Sequence, residues 1–272
     1  MEFVKTFFDI ENPLQFTLFL ALYSVVFYFS TAGAIYGYLY KLKKRKYFPD
    51  YILDKKMFKK EVVLSIINGF GNVAFIVPIH ILISKGHSKL YYDVSEHSLG
   101  YMALSLILCL FIGETFIYWI HRLLHLPFFY KHLHIYHHQF RKINPWTSMA
   151  FHPLDAFMQS FPYHLCIFLF PTHIGVYLFC IVIVSFWTFN IHDQVSVVHW
   201  KGVNNSGHHQ VHHWFNNYNL GQYFTFWDRL GGTYRDPDLL MAPREIKWPI
   251  ISYEPRRVYQ RKETSRAPEA SL

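Results

Sequence analysis

The sequence predicts an all-α integral membrane protein with about four transmembrane segments, one of them a re-entrant hairpin. Three observations predict this fold class. Only 16% of the 272 residues are charged, whereas soluble domains carry about 25%. Four long runs contain almost no charged residue, and a helix needs roughly 20 apolar residues to cross a bilayer. The 18 histidines concentrate between and after these runs at helical spacings, which indicates a helical cap outside the membrane.

The first two spans are predicted at residues 14–40 and 62–84, which contain no Asp, Glu, Lys or Arg. The segment between them, residues 41–60, holds nine Lys and Arg residues. Such a basic run could bind nucleic acid, but the flanking apolar runs make it a cytoplasmic loop under the positive-inside rule. We therefore expect no nucleic-acid partner. The N-terminus should face the opposite compartment, and its first residues lack the pattern of a signal peptide.

The third span is predicted at residues 99–120 and is interrupted only by Glu114. The fourth uncharged run, residues 156–191, is far longer than one helical crossing of about 30 Å. Pro171, Thr172 and Gly175 lie near its middle, where Pro and Gly punctuate helices. We therefore predict a re-entrant hairpin with both ends on the cytoplasmic side. This parity brings all the histidine clusters to one face.

The chain is expected to form one membrane-embedded domain over residues 1–272. Within it, residues 1–98 supply the N-terminal spans, residues 99–250 the catalytic core and residues 251–272 a polar tail. Cys109, Cys166 and Cys180 all lie inside apolar runs, which excludes a disulfide framework and a cysteine-based zinc site.

Three histidine clusters lie outside the predicted membrane core and indicate a metal site. Histidines three and four residues apart share one face of a helix, and neutral imidazole binds Zn, Cu, Fe or Ni. Eight histidines exceed what one tetrahedral ion can use, so two metal ions are predicted. His192, at the end of the hairpin, is a candidate ninth ligand. The eight are His121 and His125, then His134, His137 and His138, then His209, His212 and His213.

Carboxylates near the clusters are candidates to orient the histidines, since a metal-bound imidazole usually donates its second N–H to an acid or a carbonyl. Glu114, Asp155, Asp193 and Asp228 are the four candidates, although Asp155 equally suits a helix N-terminus. His208 is a further candidate beside the third cluster. The isolated histidines are expected to have ordinary structural or surface roles; they are His80, His87, His97, His164, His173 and His199.

These boxes resemble those of the membrane-bound fatty acid hydroxylase/sterol desaturase superfamily. The resemblance runs from about Glu114 to Asp238. Within the superfamily, this part of the sequence is most similar to the sterol C5-desaturase branch. Three positions differ from that branch: Met149 stands where a histidine is frequent, and Ala156 and Gln194 replace glycines. The branch-like stretches are AFHPLD (150–155), QSFPYH (159–164), Phe170-Pro171, IHD (191–193), HQVHH (209–213), NYNLGQYFT (217–225) and WDRLGGT (227–233).

The resemblance implies an O2-dependent enzyme with two iron ions, which would introduce a C5(6) double bond into a 7-ene sterol taken from the bilayer. An all-nitrogen site would also accept zinc in purified samples. The resemblance further implies a separate electron donor, such as cytochrome b5 with its reductase, and location in the endoplasmic reticulum in a eukaryote. It makes His152 a candidate near the metals or the substrate. The basic residues at 41–60, Lys131, Arg141 and Lys142 would dock an acidic donor or contact anionic lipid.

Three alternatives remain open from the residues. A hydroxylase or methyl oxidase acting on a sterol, a fatty acyl chain or another lipid would use the same boxes. A metal transporter should carry its ligands at mid-span, whereas these lie at helix ends and in the predicted cytoplasmic segments. A purely structural membrane protein does not account for the repeated H-x-x-H-H spacing.

Overall fold

The computed structural model describes residues 13–196, 198, 200–244 and 252–255. The long helices are α1 (Pro13–Tyr36, continued by a π-helical turn, Gly37–Leu42), α3 (Lys55–Ser84), α4 (Leu99–Leu124), α7 (Pro153–Leu169), α8 (Ile174–His192) and α9 (Ser206–Phe215). The short helices are α2 (Lys44–Tyr47), α5 (Pro127–Phe129), α6 (Ile135–His138), α10 (Phe226–Leu230) and α11 (Pro237–Leu240). The strands are β1 (Leu90–Tyr91), β2 (Thr172–His173), β3 (Met241–Arg244) and β4 (Ser252–Pro255). Single 3₁₀ turns occupy Val94–Glu96 and Pro145–Met149, and a π-helical turn occupies Tyr130–His134.

In the part of the chain that the structure describes, four helical segments are long and apolar enough to cross a membrane: Leu14–Leu42, Lys55–Ser84, Leu99–Leu124 and Ile174–His192. This confirms the predicted class of helical membrane protein. The two middle segments extend beyond the predicted spans. The helix of the second segment begins at Lys55 because Asp54 caps it, its Oδ1 accepting from the N–H groups of Lys56 and Met57. Our placement of the hairpin and of the cap relative to the bilayer stays a prediction.

The uncharged run at 156–191 folds into two helices, α7 and α8, with a break at residues 170–173. The predicted break around Pro171 and Thr172 is therefore confirmed. In the break, β2 pairs in parallel with β1, which belongs to the segment that joins α3 to α4. The two outer ends of the run lie together, because Asp155 near the start of α7 and His192 at the end of α8 both contact histidines of the second box.

Close packing of α4 on α7 depends on Gly113. A Cβ atom at this position would lie 2.5 Å from the ring of Tyr163. The Tyr163 hydroxyl in turn forms a 2.9 Å hydrogen bond with the hydroxyl of Tyr223. The buried pair therefore ties α7 to the segment that follows α9, and a larger residue at position 113 would displace Tyr163.

The 3₁₀ turn at Pro145–Met149 packs between α1, α3 and α8. The ring of Trp146 packs edge-on against Tyr28 and Phe58, and Tyr28 donates a hydrogen bond to the Trp146 carbonyl. Burial of such aromatic surface supplies much of the packing energy at a helix junction. This turn therefore holds the two N-terminal spans beside the segments that carry the histidines.

The predicted helical architecture is confirmed, and among the described residues two short two-stranded sheets accompany the helices. The expected polar tail at 251–272 includes β4, which pairs antiparallel with β3. Backbone pairing of this kind carries no strong sequence signal in four-residue strands. Residues 256–272, the first twelve residues and His199 lie outside the described residues.

Candidate metal centre

Five elements carry the nine candidate histidines. His121 lies in the last turn of α4 and His125 caps that helix. The second box spans the π-helical turn and α6, and His192 ends α8. The third box lies on α9, whose N-terminus is capped by Asn205 through hydrogen bonds to the N–H groups of Gly207 and His208. The helix ends thus converge where polar side chains replace the apolar packing of the spans.

The nine histidines form two groups, each able to hold one metal ion. Within each group, one ligand nitrogen per residue lies within 4.8 Å of every other. The first group, called the five-histidine group, contains His121, His125, His134, His138 and His212. The second, the four-histidine group, contains His137, His192, His209 and His213.

Each H-x-x-H-H box is divided between the two groups. His134 and His138 belong to the five-histidine group, while His137 belongs to the other. In α9, His209 and His213 share the four-histidine group, and His212 joins the five-histidine group. A shared helix face therefore does not bring all the imidazoles of one box to the same group. Residues four apart share a site, and the residue three apart points to the neighbouring site.

Backbone carbonyls and one carboxylate fix the tautomer of six histidines. A carbonyl or carboxylate oxygen only accepts, so the Nδ1 atom that contacts it must carry the proton, and the lone pair is on Nε2. The bonds run from His121 Nδ1 to Leu220 O (2.9 Å), His134 Nδ1 to Asp155 Oδ2 (2.7 Å), His137 Nδ1 to Ala150 O (3.3 Å), His192 Nδ1 to Thr188 O (2.6 Å), His212 Nδ1 to Tyr218 O (2.9 Å) and His213 Nδ1 to Phe140 O (2.9 Å).

The Nε2 atoms that carry no proton face one another at short distance. In the five-histidine group, His121 Nε2 lies 3.1 Å from His134 Nε2. In the four-histidine group, His137 Nε2 lies 3.2 Å from His192 Nε2. Two lone pairs at this distance repel unless a cation lies between them. A metal–nitrogen bond of about 2.1 Å places ligands at right angles about 3.0 Å apart, which matches these separations.

Burial keeps five of the histidines outside the spans neutral. Burial, reinforced by the neighbouring histidines, lowers the pKa of His137, His138, His209, His212 and His213 well below its usual value. Neutral imidazole is the form that binds a metal. Buried Nε2 atoms of His125 and His212 also lack a hydrogen-bond partner among the described residues. The donor set therefore fits two metal ions with nitrogen ligands.

A cavity of about 30 Å³ adjoins both groups. His121 and His134 of the five-histidine group line it, together with His137, His192 and His209 of the other. One water-sized molecule requires roughly 10–15 Å³ by the same measure, so the cavity holds a reactant of that size. Its other lining residues are Phe151, Gln159, Thr188, Ile191, Gly221 and Gln222.

Of the four candidate carboxylates, Asp155 is the one that contacts a histidine of either group, namely His134. Its Oδ2 accepts from His134, and its Oδ1 accepts from Gln159 Nε2 at 2.8 Å. Asp193 instead accepts from the N–H of Val195. A buried carboxylate in contact with a buried imidazole is the usual arrangement around a metal-bound histidine.

Glu114 and Asp228 hold the loop after α9 rather than an imidazole, which corrects their expected role. Glu114 accepts from the N–H groups of Tyr223 and Phe224 at 2.8 and 3.1 Å. Asp228 accepts from the N–H groups of Leu220 and Gly221 at 2.7 and 2.9 Å. Because the Leu220 carbonyl orients His121, both acids act on the site through this loop.

His208 and His152 lie outside both groups. The His208 ring contacts Asn205, its Nδ1 lying 2.9 Å from Asn205 Oδ1 at the start of α9. His152 caps α7, its Nδ1 accepting from the N–H of Leu154 at 3.2 Å. The sequence placed both in boxes or branch-like stretches, but their contacts are those of helix caps.

Sequence reasoning missed several partners of the site. The carbonyl groups that orient the imidazoles carry no residue-type signal, since every residue has one. Phe151 stacks on His137 with ring centroids 3.8 Å apart, and it lies beside the recognised His152. Gln159 supports Asp155; its place four residues after an acid in a predicted helix was the available signal.

The chain belongs to the fatty acid hydroxylase family. The family profile, named fatty acid hydroxylase, matches residues 106–233. That stretch contains every histidine of both groups and the three acids that contact an imidazole or the loop beside it.

Curated relatives in the family act on sterols by name. The chain is 46% identical to human lathosterol oxidase over 59% of this chain and 56% of the relative. It is 37% identical to the lathosterol oxidase of Mus musculus over 84% of this chain and 77% of the relative. It is 38% identical to a Delta(7)-sterol 5(6)-desaturase of Eremothecium gossypii over 78% and 64%. The match to the human relative thus spans little more than half of that protein's length. No solved structure matches the chain.

Proposed function

We propose that the protein is a membrane desaturase that introduces a C5(6) double bond into a 7-ene sterol, using O2 and two iron ions. The names and identities of its relatives support the substrate and the reaction. The observation that carries the proposal is the pair of facing, unprotonated Nε2 contacts, one in each histidine group. These contacts support two adjacent cation sites beside one shared cavity.

The residues of the site hold the metals, fix the ligands and exclude water. The nine histidines supply neutral nitrogen ligands. Asp155 and the carbonyl groups hold six imidazoles with Nε2 directed inward. Phe151 and Ile191 supply apolar walls beside the shared cavity, where an apolar C–H bond would lie. When bound, the iron ions supply the O2-dependent oxidation of an unactivated C–H bond, which protein acids and bases cannot perform.

A rescue experiment tests this function. The full chain is expressed in cells that lack sterol C5-desaturase, and extracted sterols are examined for the ultraviolet absorbance of a 5,7-diene. We expect the wild-type chain to restore it and His137→Ala to abolish it. His132→Ala is the matched control, because this exposed histidine of the same segment bonds to the Phe128 carbonyl and belongs to neither group. Rescue by His137→Ala would refute the metal-site assignment.

Hydroxylation is the second candidate function, because the matching family profile is named for it. The two reactions share the site, so product mass separates them. Desaturation removes two hydrogens from the sterol, whereas hydroxylation adds one oxygen. A product heavier than its substrate, with no diene absorbance, would contradict desaturation.

We further propose that electrons come from a separate protein such as cytochrome b5 with its reductase, and that the enzyme lies in the endoplasmic reticulum of a eukaryote with both groups and the C-terminus in the cytoplasm. Lys131, Arg141 and Lys142, all exposed, give this face the positive charge that an acidic donor requires. One domain over residues 1–272, with its catalytic core at 99–250, fits this arrangement.

A further inference from the structure

A second cavity lies beside the start of α3, away from the shared cavity. Its volume is about 280 Å³, close to the lower end of roughly 300 Å³ for small-molecule sites. Glu61 and Asn144 line its buried part, while the exposed residues Arg141 and Lys142 also line it. The walls include the aromatic rings of Tyr51, Phe58 and Phe140.

Glu61 is an unusual group for the wall of a membrane-spanning helix. Its side chain is only 2% exposed, and it is the one acid in α3. Asn144 Nδ2 and Thr147 Oγ1 both donate to Oε1 at 2.7 Å. Among the described residues, no donor reaches Oε2, and no Lys or Arg forms an ion pair with the carboxylate. A buried carboxylate without a cationic partner is costly, so a ligand carrying a positive charge would complete the site.

The cavity is at the level expected for lipid headgroups. Helix α3 has 30 residues and is about 45 Å long, so it exceeds the bilayer core of about 30 Å. Lys55, Lys56, Lys59 and Lys60 occupy its first two turns, which places this end among the headgroups. The cavity lining carries two carboxylates, Glu61 in its buried part and the exposed Asp54 that caps α3, together with two exposed cations.

We propose that this cavity binds the headgroup of a zwitterionic phospholipid. The ammonium lies at Glu61 among the aromatic rings, and the phosphate lies at Arg141 and Lys142. Aromatic faces attract ammonium groups, and guanidinium and ammonium side chains bind phosphate oxygens. The cavity lining therefore offers a group of opposite charge to each of the two charges of the headgroup.

The site is joined to the four-histidine group through the cavity wall. The Phe140 carbonyl accepts from His213 Nδ1, and the Arg141 carbonyl accepts from Gln210 Nε2 at 2.7 Å. Both contacts end on α9. A bound headgroup therefore stabilises the segment that positions the third histidine box.

Native mass spectrometry of the purified full-length protein tests the proposal. Phosphatidylethanolamine, phosphatidylcholine, phosphatidylglycerol and phosphatidic acid with identical acyl chains are added at equal concentration. We expect the two zwitterionic lipids to be retained at least about tenfold better than the two anionic lipids, because the anionic lipids lack the ammonium that the Glu61 carboxylate and the aromatic rings attract. Preference for ethanolamine would identify a hydrogen-bonding ammonium as the ligand, and preference for choline would identify the aromatic contacts as dominant.

Variants separate this site from general lipid adhesion. Glu61→Gln keeps the oxygen that accepts from Asn144 and Thr147, and it should reduce retention of both zwitterionic lipids about tenfold. Met57→Trp fills the cavity and should have the same effect without changing charge. Lys131→Gln, an exposed cation outside the cavity lining, is the control and should change nothing. Equal retention of anionic lipids, or unchanged retention in both Glu61→Gln and Met57→Trp, would overturn the proposal.

Discussion

Asp155 orients His134 through one carboxylate oxygen, and neither residue is exposed. Replacing Asp155 by Asn keeps an oxygen of similar position but removes the negative charge that makes the imidazole a stronger ligand. We expect Asp155→Asn to weaken metal binding about 10- to 100-fold, measured by titrating the protein with a chelator and following its metal content.

Asp193→Asn is the matched control for that change. Asp193 is also buried and lies beside a candidate ligand, but its side chain accepts from the N–H of Val195. An asparagine oxygen can accept the same bond. Metal loss as large in Asp193→Asn as in Asp155→Asn would show that buried charge in general, rather than the bond to His134, governs metal retention.

Adjacent histidines of one box serve different groups. His138→Ala removes a ligand of the five-histidine group, and His137→Ala removes one of the four-histidine group. We expect each variant to weaken one of two ions while the other is retained. Elemental analysis during chelator titration should show one early and one late loss, with different spectra for the ion that remains. Identical behaviour of the two variants would refute the division, and His132→Ala should match the wild type.

Gln194 ends the turn after α8 in a left-handed conformation, with φ of 63°. Its side-chain amide donates to the Ile143 carbonyl. The resemblance described above implies glycine at this position, and glycine adopts this conformation without steric cost. The glutamine therefore compensates for an unfavourable backbone by a contact that glycine lacks.

Two substitutions separate these effects at Gln194. Alanine loses the amide contact and keeps the backbone strain, whereas glycine loses the contact and relieves the strain. We expect Gln194→Gly to be more stable than Gln194→Ala by about 1 kcal/mol, seen as a higher midpoint in thermal unfolding of the purified protein. A lower midpoint for the glycine variant would show that the left-handed conformation is not strained.

The loop after α9 depends on a carboxylate from a different element. Glu114 on α4 accepts from two backbone N–H groups of the loop. Gln offers one oxygen, so its NH2 group would face the second N–H donor. We expect Glu114→Gln to destabilise the protein by about 1–3 kcal/mol and to speed amide exchange at residues 220–224. Glu96→Gln, at an exposed 3₁₀ turn, should leave exchange in this loop unchanged.

Local patterns made the helices and the boxes predictable, but not the contacts between elements. Charge-free runs and i, i+4 histidines are properties of neighbouring residues, so both were visible in the sequence. The division of each box arises from how α6 and α9 face each other. The role of Glu114 as a holder of the loop depends on a contact over 109 positions. Glu61 was missed because it directly precedes the predicted second span.

At the scale of the whole molecule, the predicted hairpin would determine which compartment contains the histidine groups. The break between α7 and α8 pairs with β1, between α3 and α4, while the outer ends of α7 and α8 meet at the histidines. Both ends of the uncharged run at residues 156–191 therefore lie at the same end of the helix bundle. The basic end of α3 should therefore share a compartment with α9.

Accessibility of single cysteines tests this topology. The three native cysteines are buried, so introduced thiols at exposed positions can be labelled selectively in sealed vesicles. We expect Lys56→Cys, Lys131→Cys and Asn217→Cys to react with a membrane-impermeant reagent from the cytoplasmic side, and Lys85→Cys to react only from the other side. All four positions are exposed, so differences in labelling report the compartment. If Asn217→Cys labelled with Lys85→Cys rather than with Lys56→Cys, the run from α7 to α8 would cross the membrane once, and no electron donor could serve the site from the cytoplasm.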